Sequence, residues 1–278
     1  KNDRIWASYS RAERTTPVAL SVIDSLRSGK AIDDPVPVPL PNGSALFLDR
    51  QLTNAISNRE LDPETLDAFE AGYRKNFQND KGSFWINAYH YEYNDIFART
   101  GISATPELLA QRPYLNVQGS YDNLLGGSGF GFEAYLEYAF TSRLKVSTSY
   151  SRLIDSFHSL IQPENQFQAD FINFSLDEFD NSSPGHLATL NLVADLSDSW
   201  NLNAGLRYSA DYEFAKGPQP AIFQLDARLS WKLSDKLRLS LVGRNLLDPY
   251  IQEARLKDFF GHWTEMKREV YLEAKSAF

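Results

Sequence analysis

The chain has no cysteine among its 278 residues and only one methionine. Disulfides, thiolate nucleophiles and cysteine metal sites are therefore excluded. The absence fits a reducing compartment and an exported protein that avoids stray thiols equally well. No stretch approaches the roughly 20 apolar residues of a membrane helix. That excludes a helical membrane protein but not a barrel, whose alternating strands average out to low hydropathy. Positive charge is also short: 28 Lys and Arg face 36 Asp and Glu, for a net charge of −8. Nucleic acid is thus not an expected partner. The first residues, Lys1 to Trp6, have no apolar run and do not form a signal peptide. They enter a strand-like pattern at once, so the expectation is that the chain starts within a larger protein.

Catalytic constellations are missing too. The four histidines, His90, His158, His186 and His262, lack metal-ligand spacing, and there is no phosphate loop or nucleophile elbow. No enzyme activity, cofactor or metal is expected. The run Asp177-Glu178-Phe179-Asp180 offers carboxylate oxygens of the kind Ca²⁺ takes. Ca²⁺ needs six or more ligands, so the run reads as a solvated acidic loop tip.

What the chain does have is a two-residue rhythm. Trp200, Leu202, Ala204, Leu206, Tyr208, Ala210 and Tyr212 alternate with Asn201, Asn203, Gly205, Arg207, Ser209 and Asp211. Phe223, Leu225, Ala227, Leu229 and Trp231 alternate in the same way with Gln224, Asp226, Arg228 and Ser230. An apolar face ending in aromatics, opposite a charged face, is what a transmembrane β-strand needs. Further strands are predicted over 4–11, 68–75, 83–94, 129–140, 143–152, 186–196, 236–246 and 267–278, with a short segment at 114–119. The total is about ten.

The connections sort into two classes. Tight turns at 77–81, 141–142, 197–199 and 234–235 alternate with long connections at 12–67, 95–128, 153–185, 213–220 and 247–266. Short periplasmic turns and long extracellular loops are the register of an outer-membrane barrel. The fold class expected is all-β: an antiparallel transmembrane β-barrel portion. The competing reading is a soluble β-sandwich, whose strands are usually shorter and whose connections need not alternate in length. Outward Trp200, Tyr212, Trp231 and Phe140 would form aromatic girdles at the headgroups.

Several segments in order resemble the TonB-dependent outer-membrane receptors. Ser10-Arg11-Ala12-Glu13-Arg14-Thr15 is similar to the family's "Ser-Arg-Ala-x-Arg-Thr-Pro" strand end, with the proline delayed to Pro17. Leu61-Asp62-Pro63-Glu64 followed by Glu70-Ala71-Gly72-Tyr73-Arg74 resembles the "Leu-x-Pro-Glu … Glu-x-Gly-Tyr-Arg" signature. Gly131-Phe132-Glu133-Ala134, Asn245-Leu246-Leu247-Asp248 and the terminal Phe278 complete the set.

The resemblance implies the C-terminal part of a 22-stranded barrel, residues 1–278 forming a single incomplete domain without plug or TonB box. It implies a Gram-negative outer-membrane receptor that takes up a scarce ligand, most often a ferric siderophore. Its partners would be outer-membrane lipid, TonB through the missing N-terminal region, and the barrel-assembly machinery through Phe278.

On this reading Arg207, Arg228, Arg238, Asp226, Glu133 and Glu137 share the lumen-facing side. They line the lumen for an anionic ligand or plug contacts, or they simply pair with each other as ordinary lumen polarity. Phe157, Phe171 and Trp263 are the extracellular-loop residues that would contact a ligand. Asn245 and Asp248 are expected to bond their own backbone as a loop begins. The alternatives are a self-contained small barrel acting as a passive porin or adhesin-like protein, and a secreted β-rich binding module.

Overall fold

The computed structural model describes residues 3–15, 28–39, 45–55, 60–77, 81–109, 112–180, 182–214, 217–255 and 263–276. In chain order the elements begin with β1 (Asp3–Arg14), β2 (Ser28–Pro39), β3 (Ala45–Ala55), β4 (Glu64–Asn76), β5 (Gly82–Leu109) and β6 (Arg112–Thr141). Next come β7 (Leu144–Ser159), the helix α1 (Gln166–Asp180), β8 (His186–Asp195), β9 (Trp200–Ser209), β10 (Tyr212–Phe214) and β11 (Gly217–Gln219). The last are β12 (Ile222–Lys232), β13 (Leu237–Arg244), β14 (Tyr250–Arg255), β15 (Trp263–Lys267) and β16 (Glu269–Ser276).

Ten of the strands form one antiparallel path in the order β1-β4-β5-β6-β7-β8-β9-β12-β13-β16. Each of these strands follows its path neighbour in the chain, apart from inserted hairpins and a helix. The period of two sets the register. Leu202 faces Leu229, Leu206 faces Leu225, and Trp200 faces Trp231, so apolar meets apolar on alternate rungs, and Arg207 faces Gln224 and Asn203 faces Arg228 on rungs between them. No second sheet covers the apolar face among the described residues. On interior strands Leu190 stays 48 % exposed, Phe223 50 % and Leu241 48 %. Water would not tolerate so broad an apolar band, and a sandwich would bury it, so lipid is its medium.

Aromatic pairs mark both edges of that band. The Trp200 and Trp231 rings stack with centroids 5.4 Å apart and planes at 1°. At the other end of the same two strands Tyr208 and Phe223 lie 4.7 Å apart. Trp200 to Tyr208 covers roughly 27 Å of strand, which a tilt of about 40° reduces to near the height of a bilayer band. Neighbouring strands repeat the upper belt: Tyr150 pairs with Phe132 at 5.7 Å and its hydroxyl meets His186 Nδ1 at 2.6 Å.

The tight turns between β6 and β7, β8 and β9, and β12 and β13 are where the sequence puts them, residues 78–80 of the turn expected at 77–81 lie outside the described residues, and the long connections are on the opposite side. Two expectations about those connections are corrected. First, they are not loops without structure. Residues 95–128 continue β5 and β6 into one long hairpin, 12–67 contains the β2–β3 hairpin, and 213–220 and 247–266 contain the hairpins β10–β11 and β14–β15. Beyond the bilayer both faces of such strands meet protein or water, so alternation fades. Residues 153–185 extend β7 and then form α1. Second, the strand from Trp200 stops at Ser209; Tyr212 belongs to β10, outside the main sheet, and is no girdle residue of that strand.

Helix α1 has local causes. Asn165 caps it, its side-chain oxygen accepting the N–H of Gln168 at 2.9 Å. Ile172, Ser175, Leu176 and Phe179 fall on one face. Ile172 joins Ile96, Ala98, Leu124 and Leu125 in the buried apolar cluster, with Leu176 and Phe179 against it. This buried apolar cluster lies outside the bilayer band, where it ties α1 to the upper parts of β5, β6 and β7.

Candidate ligand vestibule

The polar face of the sheet widens into a vestibule at its outer end. Leu66 on β4 pairs with Tyr93 on β5, and Ala12 and Arg14 on β1 pair with Leu66 and Glu64, so these residues share one face. Asp155 and Phe157 of β7 complete the wall, and the end of α1 roofs it through Phe179, Ser182 and Ser183. Together they enclose a cavity of about 410 Å³. A second cavity of about 510 Å³ shares Asp155 and Ser183, and extends to Asp180, Asp211, Tyr212 and Glu213. A third, of about 220 Å³, continues downward past Tyr89, Tyr91, Glu70 and Glu133.

The vestibule is aromatic and acidic. Phe157 lies 5.5 Å from Tyr93 and 5.2 Å from Phe179. Below them the Tyr89 and Tyr91 rings stack at 4.8 Å. The Tyr91 hydroxyl donates to Glu70 at 3.4 Å. Glu64 is buried, pairs with Arg14, and accepts the backbone N–H of Phe97 at 3.1 Å. Arg14 also lies 5.3 Å from the Phe97 ring centroid. The Asp180 carboxylate accepts the Phe157 N–H at 2.8 Å. Burial, reinforced by the Asp180 charge, pushes the Asp155 carboxyl above its ordinary value. Burial also raises the Tyr93 phenol, with Asp155 adding to the effect. Among the described residues no group of three His, Asp or Glu side chains is placed to hold a metal.

The profile of the family described as "TonB dependent receptor-like, beta-barrel" matches residues 1–246. This chain belongs to that receptor family. None of the curated proteins matches it in sequence. Among solved structures it resembles the siderophore receptor PirA from Acinetobacter baumannii (TM-score 0.65, 15 % identity), covering 100 % of this chain and 39 % of that one. It resembles the ferric enterobactin receptor PfeA from Pseudomonas aeruginosa, solved with enterobactin, at TM-score 0.65 and 14 % identity, covering 100 % and 39 %. The copper transporter OprC matches at TM-score 0.57 and 14 % identity, over 99 % and 37 %. The chain thus spans about two fifths of these neighbours, and the likeness is one of fold.

In this receptor wall most of the charged residues singled out from sequence engage each other or close neighbours. Arg207 reaches Asp226 at 3.4 Å, and Arg228 bonds Glu273 on β16 at 2.6 Å. Glu137 bonds Lys145 at 2.8 Å and accepts the Tyr135 hydroxyl at 3.0 Å. Arg238 faces Lys275 across the ladder and has no partner among the described residues. Glu133 has none either, and borders the lowest cavity. They do not converge on one spot. Phe157 lines the vestibule. Phe171 falls on α1 and Trp263 on β15, their side chains outside the described part, and Phe278 lies outside the described residues altogether.

The acidic run at 177–180 is the last turn of α1, not a loop tip. Asn245 is corrected as well: its amide donates to the Met266 carbonyl at 3.2 Å, across to β15, instead of to its own backbone. Sequence reasoning missed Tyr89, Tyr91, Tyr93, Asp155 and Asp211. The three tyrosines at alternate positions were a visible signal; the acidic pair needed the pairing of distant strands.

Proposed function

We propose that the chain is the C-terminal wall of a Gram-negative outer-membrane receptor that takes up a scarce ligand with energy relayed by TonB, a ferric siderophore being the foremost candidate. The observation that carries this reading is the two-faced sheet: an apolar band bracketed by aromatic pairs on one side, and on the other a polar wall opening into a vestibule of ligand size. The neighbours named for siderophores and copper support a metal-chelate cargo.

On this reading Arg207, Asp226, Arg228, Arg238, Glu133 and Glu137 line the lumen. The pairing of Arg207 with Asp226, of Arg228 with Glu273 and of Glu137 with Lys145 favours ordinary wall polarity over a single anion site. Residues 1–278 then form one domain that works with strands and a plug supplied from outside it. The test is growth of an iron-starved strain that lacks its own siderophore receptors, complemented with the intact receptor. Growth on at least one ferric siderophore, lost on deletion of TonB, is the expected result. Detergent-free solubility or TonB-independent growth defeats the proposal.

A further inference from the structure

We propose that Arg152 and His186 form a seat for a phosphorylated lipid headgroup, on the lipid-facing side of the wall at its outer end. The seat lies on the face opposite the vestibule, so it does not depend on what the receptor carries.

Parity along β7 sets Arg152 among apolar neighbours. Leu144, Val146, Tyr150 and Ile154 share its side of the strand, and it pairs across the ladder with Phe132 on β6 and His186 on β8. Tyr150 stands on the same rung as Ala188 and Tyr208, in the upper aromatic belt. Arg152 is one side-chain step further out, about 7 Å along the strand. Beyond it Ile154 and Phe130 face each other and stay 52 % and 54 % exposed. A guanidinium is thus set into the upper edge of the surface that meets lipid. A charge at membrane depth is costly and marks a partner.

The described residues do not supply that partner. Arg152 donates to the Gly185 carbonyl at 3.1 Å and forms no ion pair among the described residues. Gly185 makes room for it, since a Cβ there would come within 2.7 Å of Nη1. The guanidinium is therefore anchored by one N–H while the rest of its donor fork is unspent. His186 stands opposite, where facing side chains start about 5 Å apart. Its Nδ1 meets the Tyr150 hydroxyl at 2.6 Å. With the phenol donating, Nε2 carries the proton and has no acceptor among the described residues. On the rungs from Tyr150 to Ser156, no Asp or Glu shares this side of β6 to β9 among the described residues.

Unspent donors of one sign, set beside exposed apolar side chains, fit an anion that arrives on acyl chains. The guanidinium fork matches two oxygens of a phosphate. The chains of the same lipid lie against Tyr150, Ile154 and Phe130. Free phosphate satisfies the donors and leaves those side chains uncovered.

The test mixes the intact receptor in neutral detergent with a bisphosphorylated, multiply acylated glucosamine disaccharide lipid and with the same lipid stripped of its phosphates. Native mass spectrometry counts what is retained. The phosphorylated form is retained about fivefold more, the increment expected of one cation at a membrane surface. Arg152→Gln abolishes the preference and His186→Leu reduces it, both with unchanged heat-modifiable mobility. Lys145→Gln, which removes a cation from the opposite face of the same strand, leaves it intact. Excess inorganic phosphate does not displace the lipid. Equal retention of the two lipids, a preference that survives Arg152→Gln, or one that Lys145→Gln removes equally overturns the proposal. Displacement by inorganic phosphate also overturns it, by assigning the seat to the free anion. If Arg152→Gln does not fold, His186→Leu decides, and an unchanged preference there defeats the proposal.

Discussion

The Asp226 carboxylate accepts the backbone N–H of Asn245 at 2.9 Å. Asn245 is fully buried at φ +50°, a conformation that few residues other than glycine adopt readily. Its N–H cannot join a strand ladder there, and Asp226 takes it. Gln224 and Arg207 in turn bond Asp226. Asp226→Ala should therefore cost about 1–3 kcal/mol, the range for orphaning a buried donor. Asn245→Leu should cost at least as much, and Asn245→Gly should keep the backbone but lose the tie to Met266. Urea titration of the detergent-solubilised receptor gives the order, and a double-mutant cycle should show coupling between the two positions.

Gly72 lies beneath the Trp6 indole and the Asn87 amide, where a Cβ would collide with both. Gly72→Val should destabilise by about 1–3 kcal/mol through overpacking. Adding Trp6→Ala should recover part of that loss. Thermal loss of heat-modifiable mobility is the measurement; full additivity would show that the ring does not need the gap.

The lipid-facing assignment separates neighbouring positions on one strand. Leu229→Arg places a charge on the band and should cost about 2–4 kcal/mol, whereas Asn203→Arg on the polar face should cost little. Folding yield into lipid vesicles reads this directly. Trp200 and Trp231, in a separate assay, should be quenched most by lipids brominated near the headgroup.

The pH response of α1 docking follows from Asp155. Its folded-state affinity for a proton is raised above the ordinary carboxylate value of 3.8. A group shifted this way favours the folded state more as pH falls from above its folded pKa to below 3.8. At neutral pH its ionised form is a liability, so Asp155→Asn should stabilise the helix contact there. The gain should vanish at acid pH. Hydrogen exchange of α1 amides in native and variant receptors at both ends of that window checks the sign.

Ile172 is 2 % exposed and central to the cluster beneath α1. Ile172→Ala should cost about 2–5 kcal/mol locally. Limited proteolysis should then cut within 160–185 while the membrane strands stay protected. Protection of that segment in the variant would show that other contacts hold the helix.

How much of this could be read in advance depended on how many media each strand separates. Leu202, Leu206, Leu225 and Leu229 divide lipid from lumen, so their alternation declared both register and orientation. At Ile96, Ala98 and Leu125 the partners are other protein segments, and the rhythm dissolved into what looked like loop. Helix α1 left its marks in Asn165 and in the spacing of Ile172, Leu176 and Phe179, but the exposed Phe174 blurred the stripe. The vestibule was out of reach for a different reason. Asp155, Asp211 and Tyr93 become neighbours only once strand pairing is known, and Asn245 looked like a local turn former because its real partner, Met266, lies on another hairpin.

β1 and β16 each carry a ladder partner on one side and, among the described residues, none on the other. In hydrocarbon a bare row of N–H and C=O groups is intolerable, because no water is there to receive it. Each row is thus half of a seam, one over Asp3–Arg14 and the other over Glu269–Ser276. A segment supplied in trans should zip onto one seam only in a single register, so the wall has the makings of a split protein whose pieces recombine.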